Sequence, residues 1–198
     1  MCTALSQCYR QPTTGWEIEE RENAPPLVHN LPFPAYISLS HSHHLLCFGL
    51  SPSRIGIDVE WMKSGRRFRE MAPLFMNNEE VALLPTQAPG LLQYFYQVWC
   101  AKEALYKALP PARQALTTLK GLPYHPLLED SSPWHLVQSG LDNYQIAIVT
   151  ENMIEKSTAR PTLQTMFIDL EQVIQNTGKR EQAVKKGPNS PFGDLQNH

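Results

Sequence analysis

Long apolar runs are missing from this sequence. No stretch approaches the roughly 18 apolar residues that a membrane span needs, and residues 1–10 lack the basic start and apolar run of a secretory leader. Neither membrane insertion nor secretion is expected. Cysteine is scarce: Cys2, Cys8, Cys47 and Cys100 form no C-x-x-C pair and no even spacing. A disulfide framework and a cysteine zinc site are both unexpected, and a reducing cytoplasm fits best. Positive charge is not in surplus either. Lys and Arg number 17 against 19 Asp and Glu, a formal net charge of −2, which argues against a dedicated nucleic-acid binder. No repeat of fixed period occurs, so solenoids are excluded.

What is present is a globular composition. With 42% hydrophobic residues in 198, the chain can bury one good-sized core or two small ones. Residues 16–21 read as a short strand. Apolar runs at 36–39, 45–50 and 55–59 are separated by Ser40-His41-Ser42-His43-His44 and Ser51-Pro52-Ser53-Arg54, which predicts strands joined by tight turns. Asn77 or Asn78 is an N-cap ahead of Glu79 and Glu80. A longer helix is predicted over 90–109, stopped by Pro110-Pro111. Strands return at 134–137, 143–150 and 163–168, and residues after Asn176 read as a flexible tail. The fold class is α+β.

The chemistry is carried by a few acids and amines. Asp58 and Glu60 are two apart in a strand, so their carboxylates share a face. Trp99, Glu103 and Lys107 are spaced i, i+4, i+8 and form one helical stripe. If that helix crosses the Asp58 strand, three carboxylates meet. Oxygen ligands of this kind, completed by water and phosphate oxygens, suit Mg²⁺. Taken singly the pieces say little: D-x-E is commonplace, and Glu103 with Lys107 alone is an ordinary surface pair.

Together, Ile55-Gly56-Ile57-Asp58-Val59-Glu60 and, 45 residues after Asp58, Glu103 within Trp99-Cys100-Ala101-Lys102-Glu103-Ala104-Leu105-Tyr106-Lys107 resemble the two-part signature of the 4′-phosphopantetheinyl transferase superfamily. Ser38-Leu39-Ser40-His41-Ser42 is similar to the S-H-S turn of its longer, Sfp-like branch. The resemblance implies two related α+β halves with pseudo-twofold symmetry. It divides the chain into a shortened N-terminal lobe at 1–54, a lobe carrying the motifs at 55–175, and the tail at 176–198. It also implies transfer of 4′-phosphopantetheine from coenzyme A to a serine of an acyl or peptidyl carrier protein, in fatty-acid, polyketide or nonribosomal-peptide synthesis. Asp58, Glu60 and Glu103 would hold Mg²⁺. Lys107, with Lys102, would offset phosphate charge, and Ser40 and His41 would contact the coenzyme's phosphates. Glu103 would act as base or base-positioner, directly or through water.

Three departures from the family pattern stand out. His43 occupies a position often held by Gly, Asn23-Ala24-Pro25 stands where a G-K-P is usual, and only 54 residues precede Ile55. A small active variant, a dimer and a truncated chain all remain open, as do monomer and dimer. A non-catalytic carrier-binding homologue and another Mg²⁺-dependent phosphate enzyme are the alternatives, the first disfavoured by the complete acid set. Arg66, Arg67 and Arg69 form a basic cluster, read equally as a docking face for an acidic carrier helix or as a solvated face. Phe68, Met71, Leu74 and Phe75 beside it read as core before carrier contacts. His41, His43 and His44 lack a third spaced ligand and read as a polar turn.

Overall fold

The computed structural model describes residues 1–22 and 24–152, so the strand expected at 163–168 and the tail lie outside the described residues. Two compact units are present. In the first, Met1–Gly15, helix α1 (Cys2–Tyr9) ends at Arg10 in a left-handed conformation, followed by a 3₁₀ turn over Thr13–Gly15. The second begins at Trp16 and carries everything described below.

Strand β1 (Ile18–Glu19) pairs antiparallel with β2 (Leu27–Val28). This is less than the strand expected at 16–21. Next come β3 (Tyr36–Ser42) and β4 (Leu45–Ser51), a hairpin in full register from Tyr36↔Ser51 to Ser42↔Leu45. Its two-residue turn puts His43 at φ 51, a conformation that glycine adopts with least strain. The chain then runs through β5 (Ile55–Trp61), short helices α2 (Phe68–Met71) and α3 (Asn78–Ala82), the long helix α4 (Gly90–Ala108), α5 (Pro111–Gln114), and strands β6 (Trp134–Leu141) and β7 (Tyr144–Glu151). The last two join β5 in an antiparallel sheet of order β5-β7-β6. The architecture is α+β, and α4 matches the sequence expectation to one residue. Among the described residues no helix is long and apolar enough to cross a membrane.

Local chemistry explains these boundaries. Asn77 begins α3 with a reciprocal cap: its Oδ1 accepts from the Glu80 N–H at 2.9 Å, and Glu80 Oε2 accepts from the Asn77 N–H at 2.8 Å. Helix α4 packs on β5 and β7, its Ala101, Ala104, Leu105 and Ala108 buried, and its Phe95 joins Phe68 and Phe75 in the same core.

The contact between α4 and β5 depends on Gly56. A Cβ there would lie 1.8 Å from the Ala104 carbonyl oxygen and 2.7 Å from the Ala108 nitrogen. Helix backbone therefore rests directly on strand backbone. The edge of β5 away from β7 is closed differently. Ser38, Ser40 and Ser42 share one face of β3, and their hydroxyls accept from the N–H groups of Ile57 (2.8 Å), Val59 (3.2 Å) and Trp61 (3.0 Å). Serine hydroxyls thus do for this edge what a neighbouring strand's carbonyls would do.

Candidate functional site

Alternation along β5 puts Gly56, Asp58 and Glu60 on one face, and the direct seating of α4 at Gly56 brings Glu103 and Lys107 over it. The stripe inferred from the spacing of Trp99, Glu103 and Lys107 therefore faces the D-x-E strand. Trp99 packs edge-on to Phe75, ring centroids 4.6 Å apart, and lies beside the Glu60 carboxylate, whose charged form it favours.

Asp58 is the hub. Its side chain is 6% exposed, and Oδ1 accepts from Lys107 Nζ at 2.7 Å and from Ser40 Oγ at 3.0 Å. Lys107 also donates to Ser40 Oγ and to the Ile57 carbonyl, each at 3.2 Å. An ammonium has three protons, and a hydroxyl one proton and two lone pairs. Both inventories are used up within this network. One atom is left over: Asp58 Oδ2 is buried with no hydrogen-bond partner, since the neighbouring Cys100 thiol, held above its ordinary value by burial and then by the Asp58 charge, spends its proton on the Gln145 carbonyl at 3.5 Å.

The two flanking acids register the same imbalance. Burial pushes the Glu60 carboxyl above the ordinary value, and the Asp58 charge adds to this, while Arg66 and Trp99 offset part of it. Glu103 is likewise raised, first by burial and then by Asp58, with Lys107 acting in the opposite direction. Like charges brought together out of water favour protonation. They equally favour a cation placed among them. Among the described residues no three His, Cys, Asp or Glu side chains are grouped closely enough to hold a metal ion as they stand. Carboxylate oxygens, one of them buried without a partner, are the donor type preferred by a cation that keeps water and substrate phosphates.

Not every residue singled out from the sequence joins this group. Lys102 points into the core, fully buried, where its ammonium pairs with Glu80 Oε2 and donates to the Phe75 carbonyl at 2.9 Å. Glu80 Oε1 meanwhile accepts from the Tyr124 N–H at 3.0 Å. This corrects the phosphate role expected of Lys102, since one helical position is about a 100° rotation and turns it away from Glu103. Replacing Lys102 by Met should leave the Glu80 charge buried and unpaired, at a cost of about 3–5 kcal/mol. Urea denaturation reads this; unchanged stability with weakened coenzyme A binding would restore the phosphate role.

Ser40 is corrected as well. Its hydroxyl is buried and fully committed to β5, Asp58 and Lys107. Lys107 spends all three protons within the protein, so its charge reaches a phosphate only through space. His41 is exposed on the opposite face of β3 from Ser40. The serine ladder was not foreseen, although S-x-S-x-S at the strand period was its visible signal. Nor was Arg66 foreseen as a charge partner of Glu60.

The basic cluster is divided by the fold. Arg67 pairs with Glu70 at 2.9 Å in solvent, Arg69 donates to the Pro85 carbonyl at 2.9 Å, and Arg66 lies over the Tyr96 ring at 6.0 Å. Phe68 and Phe75 are core, as expected, whereas Leu74 is 78% exposed.

Residues 54–149 match the family model described as the 4′-phosphopantetheinyl transferase superfamily. Two curated proteins of Bacillus subtilis are similar. A 4′-phosphopantetheinyl transferase is 29% identical over 106 residues, and a 4′-phosphopantetheinyl transferase ffp is 28% identical over 110. Each match covers 53% of this chain and 46% of the relative, so the chain spans about half the length of the curated relatives it matches.

Proposed function

We infer, from the match of residues 54–149 to the 4′-phosphopantetheinyl transferase superfamily model, that the chain moves 4′-phosphopantetheine from coenzyme A to a serine of an acyl or peptidyl carrier protein, with Mg²⁺ as its metal. The observation that supports this best is Asp58 Oδ2, a buried carboxylate oxygen without a partner beside two acids whose ionisation is disfavoured. In this reading residues 55–175 are the metal-bearing lobe of two related halves, residues 1–54 are a shortened first lobe, and the location is cytoplasmic.

Asp58, Glu60 and Glu103 would hold the cation, which neutralises charge on the coenzyme's diphosphate. The carrier serine Oγ bonds to the β-phosphorus as the bridging bond to the α-phosphate breaks, and 3′,5′-adenosine bisphosphate departs. The serine proton passes to Glu103, directly or through water; burial and then Asp58 hold this carboxyl above its ordinary value, which makes it a better proton acceptor than an exposed glutamate. Lys107 pairs with Asp58 at 2.7 Å and adds positive potential where the leaving group gathers charge. His41, exposed on β3, is free to meet a phosphate.

Carrier docking is assigned to the Arg66 side of the site. A shallow hollow there, about 470 Å³, is lined by Gly65, Arg66, Arg67, Glu70, Met71 and Leu74. Arginines beside exposed Leu74 fit an acidic amphipathic helix.

Incubating an apo carrier protein with this protein, coenzyme A and Mg²⁺ tests the reading by intact mass. A gain of one phosphopantetheine arm, abolished by EDTA, is expected. No gain across several carriers, with the protein folded, would favour a non-catalytic carrier-binding homologue.

A further inference from the structure

We propose that Ser40 is a positioning residue for Asp58, holding that carboxylate so that Oδ2 alone is turned toward a divalent cation. The inference deepens the metal reading above and rests on it. Ser38, Ser40 and Ser42 repeat one bond, each accepting a strand N–H of β5. Ser40 has two more partners, Asp58 and Lys107. The direction of its third bond follows by elimination. The Val59 amide and the Lys107 ammonium can only donate, so they occupy the two lone pairs of the hydroxyl, and its single proton must go to Asp58 Oδ1.

Oδ1 thereby receives two donors from different elements, Ser40 of β3 and Lys107 of α4. Two donors converging on one oxygen fix the plane of a carboxylate, whose terminal torsion is otherwise broad. The hydroxyl is itself fixed by the Val59 N–H, so β5 sets the orientation of its own acid by way of β3. What remains is Oδ2, buried and without a partner. A bound metal relies on such outer hydrogen bonds to hold its ligands in place, and losing one typically weakens affinity about 10- to 100-fold.

The three serines supply their own controls. Mn²⁺ binding to the full chain, followed by the loss of its free-ion paramagnetic resonance signal, is compared in Ser38→Ala, Ser40→Ala and Ser42→Ala. All three variants uncover a strand N–H and should lose stability. Only Ser40→Ala is expected to weaken Mn²⁺ binding, by about 10- to 100-fold. Ser40→Ala binding Mn²⁺ no more weakly than Ser38→Ala overturns the proposal. Should Ser40→Ala fail to fold, Ser40→Cys carries the test with a similar size and a weak donor; undiminished affinity there overturns the proposal too. A wild-type chain that binds no Mn²⁺ at all sinks the metal reading, and this inference with it.

Discussion

Replacing Gly56 by alanine is expected to cost about 3 kcal/mol or more and to abolish the proposed transfer activity. Overpacking a well-filled core usually costs about 1–3 kcal/mol, when side chains can move aside. Here the obstacle is backbone: the new Cβ would meet the Ala104 carbonyl oxygen at 1.8 Å and the Ala108 nitrogen at 2.7 Å. Helix α4 has to lift as a body, because its hydrogen-bonded turns cannot yield at one atom. Lifting it withdraws Glu103 and Lys107 together from Asp58, and Trp99 from Glu60. Small domains are stable by only about 5–15 kcal/mol, so the urea midpoint should fall sharply. A change within about 1 kcal/mol, typical of an ordinary point substitution, would show that α4 is not seated on the strand as described.

Glu103→Gln is expected to slow the proposed transfer by about 100- to 10,000-fold, the usual worth of a positioned acid–base group, while making the fold more stable near neutral pH. The second half follows from linkage. The Glu103 carboxyl is raised above its ordinary value near 4.5 by burial and by Asp58, so the folded state binds the proton more tightly than the unfolded one. Its contribution is fully present below the unfolded value and is lost as pH rises through the folded one. The glutamine variant carries no such loss. Thermal midpoints of the two proteins, measured without divalent cation, should diverge in favour of the variant as pH climbs from about 4.5. Parallel profiles would mean that Glu103 is not strained by its neighbours, and an unchanged transfer rate would remove its assigned role.

Much of this was legible along the chain, because the signals were local. Strand periodicity placed Asp58 and Glu60 on one face, helical periodicity aligned Trp99, Glu103 and Lys107, and Pro110-Pro111 marked the end of α4. The cap at Asn77 was readable because capping uses residues three apart. Lys102 stands in a motif rich in charge, which points to phosphate, whereas the residue belongs to the core. Its own spacing, with Phe95, Val98, Leu105 and Leu109 at −7, −4, +3 and +7, runs along an apolar stripe.

Tertiary structure decided what no local period encodes. The partner of a buried ammonium depends on which element arrives opposite it, and Glu80 of α3 lies 22 residues before Lys102. The serine hydroxyls have a defined direction only because the edge of β5 faces them, and the need for Gly56 exists only once a helix rests on that strand. Sequence alone determined which acids could share a face. The fold determined that one of them, Asp58, has one oxygen fully engaged and the other buried without a partner, because hydrogen-bond inventories close only when distant elements meet.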